Sequence, residues 1–298
     1  MTRFRRILCP VDFSTFARHA LDHAEVLARW YEAELVVLHV SPAMPTMFAP
    51  DPAMNAATLG VFDKETLRRD LREFVGETKA SKGAPEIVFR SGAAATEILR
   101  YAADTTTDLV VLGTHGRTGF EHFMLGSVTE KVVRKAFCPV LTVPPRAELQ
   151  PEGPLFGRIL CGVDFSETSD EAVWHALSLA QEAKGRLTLL HVLEWMPDRS
   201  LAEYPQFDLE QYRRSLVSDA RTRLEALVPE EARNWCEAEA RVAYGKPYQE
   251  ILRIAKEEAA DLIVTGTHGS GPLDRMLFGS TAQHLVRQAA CPVLTIRQ

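Results

Sequence analysis

The 298-residue sequence has no apolar run long enough to cross a bilayer. Its basic start, MTRFRRILCPVDFS, is followed by neither an apolar signal region nor a small-residue cleavage site. A cytoplasmic protein with no membrane partner is the expectation. Positive charge is not in excess either. With 34 Lys and Arg against 40 Asp and Glu, the formal net charge of −6 argues against nucleic acid as a general partner. Cysteine is scarce: Cys9, Cys138, Cys161, Cys236 and Cys291 form no Cys-x2-Cys pair and no metal-like spacing with histidine, so reduced structural thiols are expected. Hydrophobic residues at 46% and charged residues at 25% are ordinary for a globular chain, which excludes disorder as the default.

What the sequence does contain, it contains twice. Residues 108–116 read DLVVLGTHG and residues 261–269 read DLIVTGTHG, each followed by nine residues and then Gly-Ser, at Gly126-Ser127 and Gly279-Ser280. Near the start, Ile7-Leu8-Cys9 and Val11-Asp12-Phe13-Ser14 return as Ile159-Leu160-Cys161 and Val163-Asp164-Phe165-Ser166, at an offset of 152. From Gly92 and Gly245 to Cys138-Pro139-Val140 and Cys291-Pro292-Val293 the offset is 153. A net shift of one residue marks two copies of one unit of about 145 residues, the size of an ordinary single-core domain. The expected domains are 1–146 and 155–298, joined by a proline-rich linker at 147–154.

Each copy alternates short β-rich runs with amphipathic ones, the pattern of a parallel sheet covered by helices. In the first copy, strands are predicted at Arg6–Val11, Glu34–Val40, Glu86–Arg90, Asp108–Leu112 and Val140–Val143. Helices are predicted at Phe16–Tyr31, Asp63–Lys79, Thr96–Thr105 and Ser127–Ala136, and the second copy extends its middle helix over Asp208–Leu227. Strands such as Leu109-Val110-Val111-Leu112 are apolar throughout, so both faces should be buried. The fold class that follows is α/β, two tandem open, doubly wound, five-stranded parallel sheets. Ligands of such sheets sit beyond the carboxyl ends of the strands.

Asp12, Val40 and the Gly113 loop all fall on that rim. Gly113 and Gly116 would let the backbone turn and approach a ligand without Cβ interference. Gly126-Ser127 would open a helix, with Ser127 as N-cap and hydroxyl donor, and its free N–H groups suit phosphate oxygens. Asp12 and Asp164 have two readings: acceptors for a ribose hydroxyl or adenine amine, or caps of the next helix. His39 and His191 are expected to bond to backbone rather than to hold a metal. His115 and His268, inside the glycine loops, are either phosphate neighbours or turn filler.

On Ile-Leu-Cys-Pro-Val-Asp-Phe-Ser at 7–14, Leu-His-Val at 38–40, Gly113-x2-Gly116-x9-Gly126-Ser127 and Cys138–Val143, each half resembles a universal stress protein domain. The whole chain resembles a tandem member of that family's ATP-binding branch. The resemblance implies a Rossmann-like fold of the adenine nucleotide alpha hydrolase type. It also implies that Asp12 contacts the nucleoside, that the Val40 backbone reads the adenine edge, and that Pro10, Val11 and Leu112 line the pocket. Gly113, Gly116, Gly126, Ser127, Val128 and Thr129 would hold ribose and phosphates, with Arg117 able to offer a charge. In the second copy the same places fall to Gly162, Val163, Asp164, Val192, Thr265, Gly266, Gly269, Gly279, Ser280, Thr281 and Ala282. The implied cofactor is ATP, or ADP or AMP, with Mg2+ or Mn2+ held mainly by the phosphates. The last strands of the two halves would pair antiparallel as an internal pseudo-dimer, which leaves room for a further homodimer and an unidentified protein partner.

The second copy departs where Arg117 becomes Ser270, Thr118-Gly119 becomes Gly271-Pro272, and Val128-Thr129 becomes Thr281-Ala282. The first site should therefore bind more tightly. Neither loop carries the Gly-Lys-Ser/Thr of a Walker A motif, and no Ser-Gly-Gly-x-Asp-Ser segment marks a nucleotidyl-transfer enzyme. A nucleotide-responsive stress regulator is the leading expectation. A slow ATPase or nucleotide-dependent enzyme, and a nucleotide-free adaptor, are the alternatives. Loops 42–62 and 195–207 are the expected lids or contacts.

Overall fold

A computed structural model of the chain describes residues 4–42, 64–76, 83–116, 125–145, 147, 149, 155–194, 208–267 and 279–297. The first half runs β1 (Arg6–Val11), α1 (Thr15–Trp30), β2 (Glu34–Ser41), α2 (Lys64–Val75), β3 (Glu86–Ser91), α3 (Ala94–Asp104), β4 (Leu109–Gly113), α4 (Ser127–Lys135) and β5 (Val140–Val143). The second runs β6 (Arg158–Gly162), α5 (Glu167–Ala183), β7 (Arg186–Leu193), α6 (Leu209–Ala226), β8 (Glu237–Tyr244), α7 (Pro247–Glu257), β9 (Leu262–Gly266), α8 (Ser280–Gln288) and β10 (Val293–Ile296). Among the predicted elements, β1 and β5 fall at the expected residues, and the others shift by a few positions at their ends.

Among the described residues the strands form one ten-stranded sheet in the order β3-β2-β1-β4-β5-β10-β9-β6-β7-β8. All neighbours are parallel except β5 and β10, which run antiparallel with Leu141 opposite Leu294. By themselves β5 and β10 read as sheet edges. In the folded chain they are its centre, and β3 and β8 are the edges. The threonines of the seam face across it: Thr142 Oγ1 donates to the Val293 carbonyl at 3.2 Å and Thr295 Oγ1 to the Val140 carbonyl at 3.1 Å, both in buried surroundings. Each hydroxyl thereby buries its polar atom with a partner.

The core is arranged differently on the two faces of this sheet. On the face covered by α1, α2, α5 and α6, the buried residues of both halves form one continuous cluster, running from Ile7, Leu21 and Leu71 through Leu141 and Leu294 to Ile159 and Leu224. On the opposite face, α3 and α4 cover one cluster around Leu8, Ile98 and Val132, and α7 and α8 cover another around Leu160, Ile254 and Leu285. The shared face also holds a histidine pair at repeat-equivalent positions, His23 buried and His175 half-buried. His23 is 2% exposed, its Nδ1–H donating to the His19 carbonyl at 2.8 Å. His175 stacks on Phe4 of the other half with ring centres 6.3 Å apart.

All five cysteines are free thiols: Cys9, Cys161 and Cys236 are buried, Cys138 and Cys291 half-buried. Burial pushes each of them up, Cys138 and Cys291 to about 12, which leaves them protonated and unreactive at neutral pH.

Candidate functional site

The strand order brings the rim residues together. The chain leaves β1 outward to β2 and β3, then returns to β4 on the other side, so a crevice opens past the carboxyl end of β1. There a cleft of about 310 Å³ is lined by Pro10 and Val11 from β1 and Asp12 just past it, Val40 from β2, Leu112 and Gly113 from β4, then His115 and Gly116, and Gly126 to Thr129 at the start of α4. Its counterpart in the second half, about 330 Å³, is lined by Gly162, Val163, Asp164, Val192, Thr265, Gly266 and Gly279 to Ala282. Every site residue predicted for either half lines its cleft except Arg117 and Gly269, which lie outside the described residues, as do His268, residues 43–62 of the loop 42–62 and the loop 195–207, both expected as lids or contacts.

The two rim aspartates act on the loop that follows them. Asp12 Oδ1 accepts from the Ser14 N–H at 3.1 Å and from its hydroxyl at 2.5 Å, and Ser14 in turn caps α1 by accepting from the Ala17 N–H at 3.1 Å. Asp164, Ser166 and Ser169 repeat the arrangement at 3.0, 2.6 and 3.2 Å. The caps are therefore the serines, and each aspartate holds its cap. A Cβ on Gly116 would come within 2.9 Å of Asp12 Oδ2, which places that oxygen toward the glycine loop. Between aspartate and serine, Phe13 and Phe165 take left-handed backbone angles, φ 64° and 62°. For a bulky residue this conformation costs about 1–3 kcal/mol, and it recurs at the same place in both clefts. Each phenylalanine ring packs on a histidine, 4.7 Å from His39 and 4.6 Å from His191. The histidine Nδ1–H donates to the carbonyl of Val11 or Val163 at 2.9 or 2.7 Å. The expected backbone role of His39 and His191 holds.

Two readings of the glycine motif change. The N-cap of α4 is Gly126 rather than Ser127, and the N-cap of α8 is Gly279; neither helix has a side-chain cap. Ser127 is the first helical residue, because Gly126 already has the extended angles of a cap, φ −59° and ψ 136°. Gly113 serves packing before ligand approach: a Cβ there would lie 2.9 Å from the Phe16 carbonyl oxygen of α1. The Thr129 hydroxyl, 4% exposed, donates to the Gly113 carbonyl at 2.8 Å and so ties the start of α4 to the end of β4. In the second half Ala282 makes no such tie.

Sequence reasoning passed over Ala94 and Ile98, and Pro247 and Ile251, which close the clefts from the starts of α3 and α7. Ile98 and Ile251 match at the 153-residue offset, a signal that is present but indistinguishable from ordinary core periodicity. Leu125, next to Gly126, packs against the core cluster of the second half. No sequence signal announces a contact across the repeat. His115 also lines the first cleft, with its Nδ1 2.9 Å from Thr114 Oγ1, and burial lowers its pKa.

Architecture and clefts together define a tandem open α/β protein with one rim cleft per half. Known proteins narrow that class: the Universal stress protein family matches residues 3–144 and 155–297, and the chain belongs to that family. Universal stress protein Rv2005c of Mycobacterium tuberculosis is 27% identical over 277 residues, covering 89% of this chain and 87% of the relative. A universal stress protein of Thermus aquaticus is 37% identical over 147 residues, 48% of this chain and 100% of the relative. The crystal structure of a universal stress protein from Archaeoglobus fulgidus shares the fold across 98% of both chains, with a TM-score of 0.69 at 21% identity.

Proposed function

We propose that this universal stress protein binds an adenine nucleotide in each cleft and acts in the cytoplasm as a nucleotide-responsive stress regulator, built of domains 1–146 and 155–298. Gly126 is the observation that carries the reading. Neither its backbone angles nor its neighbours require glycine, since a Cβ there would meet nothing closer than the Thr114 carbonyl at 3.4 Å. The missing side chain leaves the first N–H groups of α4 open toward the cleft, and Gly279 repeats the geometry at φ −58° and ψ 138°. Such an uncapped helix start suits phosphate oxygens.

Residues Gly126 to Thr129 would then meet the phosphates, Asp12 the ribose or base, and the Val40 backbone the adenine edge, with the equivalent residues doing so in the second half. Among the described residues no group of three or more His, Cys, Asp or Glu is placed to hold a metal ion. A Mg2+ or Mn2+ would take its ligands mainly from phosphate and water. Heating the purified protein and running the supernatant on a nucleotide column tests the reading. Stoichiometric ATP, ADP or AMP supports it, and an empty protein that shows no heat on titration with Mg-ATP overturns it.

A further inference from the structure

The second cleft carries a carboxylate that the first lacks. Glu194, one residue past β7, lines it, and the repeat-equivalent residue in the first half is Pro42, which does not line the first cleft. Glu194 is exposed, and no hydrogen bond or ion pair to another described residue holds its carboxylate. Its position within the cleft follows from the sheet. β6 lies between β7 and β9, so the end of β7 and the start of α8 stand on opposite sides of the crevice. The α8 side offers N–H donors from an uncapped helix start, and the Glu194 side offers an acceptor.

We propose that Glu194 determines the specificity of the second cleft, selecting a base whose edge presents an exocyclic amine. This rests on the nucleotide reading above and deepens it for one half. With phosphates at α8, the base extends toward β7. A 6-amino purine there donates a proton to the Glu194 carboxylate. A 6-oxo purine puts a carbonyl oxygen in the same place, facing a negative charge with no proton between them. Hydrogen bonds to charged groups discriminate strongly, because a mismatch sets one acceptor against another and leaves both unpaired. In the first cleft that side is lined by Val40 and Leu38, with no side chain to tell the two edges apart.

The test uses the full chain with one cleft blocked at a time: Gly126→Leu leaves the second open, and Gly279→Leu leaves the first. Folding is checked by circular dichroism, and the magnesium complexes of ATP and inosine triphosphate are titrated calorimetrically. The second cleft is expected to prefer ATP over inosine triphosphate about tenfold more strongly than the first does. Glu194→Gln, whose amide turns to donate or accept, is expected to remove that excess without loss of ATP binding. An excess that survives both Glu194→Gln and Glu194→Ala overturns the assignment, as does equal preference in the two clefts. If the second cleft takes up neither nucleotide while the first binds ATP, the assignment falls together with the nucleotide reading of that half. Loss of both in both clefts overturns the nucleotide reading as a whole.

Discussion

The two clefts share a frame and differ in their lining. Each sets an aspartate held against a serine cap, a left-handed phenylalanine on a histidine, and an uncapped glycine at the start of a helix. Around that frame the first is apolar, with Pro10, Leu112 and Val128, where the second has Gly162, Thr265 and Thr281 and adds Glu194. The first also ties α4 to β4 through Thr129, a bond that Ala282 cannot make. The features retained twice are those that set backbone direction at the rim. Apart from the Thr129 tie, the features that diverged line the cleft, where ligand affinity and choice are decided.

The largest difference between the halves should come from their packing glycines. Gly113→Ala drives a Cβ onto the Phe16 carbonyl oxygen at 2.9 Å, an atom of helix backbone that moves only with α1. Gly266→Ala meets first the Thr168 hydroxyl at 2.9 Å, which can turn away, leaving contacts of 3.1 and 3.2 Å with the Thr168 Cβ and carbonyl carbon. Urea denaturation should show about 3 kcal/mol lost for Gly113→Ala and about half that for Gly266→Ala. Equal losses would mean the two helices pack alike after all.

The histidines of the shared face come next. Burial lowers the pKa of His175 from the usual value near 6.5 to about 4, and lowers that of His23 as well. Between pH 4 and 6.5 the unfolded chain therefore binds a proton at His175 that the native chain does not. Stability rises with pH across that window and is lost as the pH falls through it, by about 3 kcal/mol at the acid end. His175→Leu should flatten that part of a stability–pH profile measured by urea titration, and His23→Leu a further part. An unchanged slope in His175→Leu would show that the ring is solvated.

Ligand affinity ranks the clefts directly. Calorimetry on Gly126→Ala should find ATP uptake reduced by loss of the tighter site, while Gly279→Ala keeps it. The remaining sites should differ about tenfold in affinity, or about 1.4 kcal/mol. Equal ATP affinity in the two variants would contradict the ranking. The smallest effect should also be the most symmetric. Thr142→Val and Thr295→Val each remove one seam hydrogen bond and should each cost about 1 kcal/mol in thermal unfolding. Unequal costs would show that the seam, too, has drifted.

Much of the frame is legible in the chain's own periodicity. The runs Arg6–Val11 and Val140–Val143 are short and mostly apolar, the second bracketed by Pro139 and Pro144, and both appear as written. The rim residues are legible because an open parallel sheet binds at its carboxyl ends, which turns strand order into a site. The role of Gly113 is not. A glycine at a strand end serves a turn, a ligand or a neighbouring helix equally well, and only the position of Phe16 decides among them. Ser127 reads as a cap because serine caps well, but Gly126 already has the cap's backbone angles. Ile98 and Ile251 are hidden by serving core and cleft at once.

The sequence by itself determined the duplication, the strand and helix content of each half and the residues that gather at each rim. These depend on local periodicity and on a motif kept at constant spacing, which need no knowledge of distant neighbours. Tertiary structure alone decided that one helical face shares a continuous core while the other keeps two. It also decided that Leu125 of the first half leans on the second, and that Glu194 stands across its cleft from α8. The first two facts follow from β5 pairing with β10, which brings together residues about 150 positions apart, and the third from β6 lying between β7 and β9. A hydrophobic pattern records that a side chain is buried, and only the packed sheet settles which half buries it.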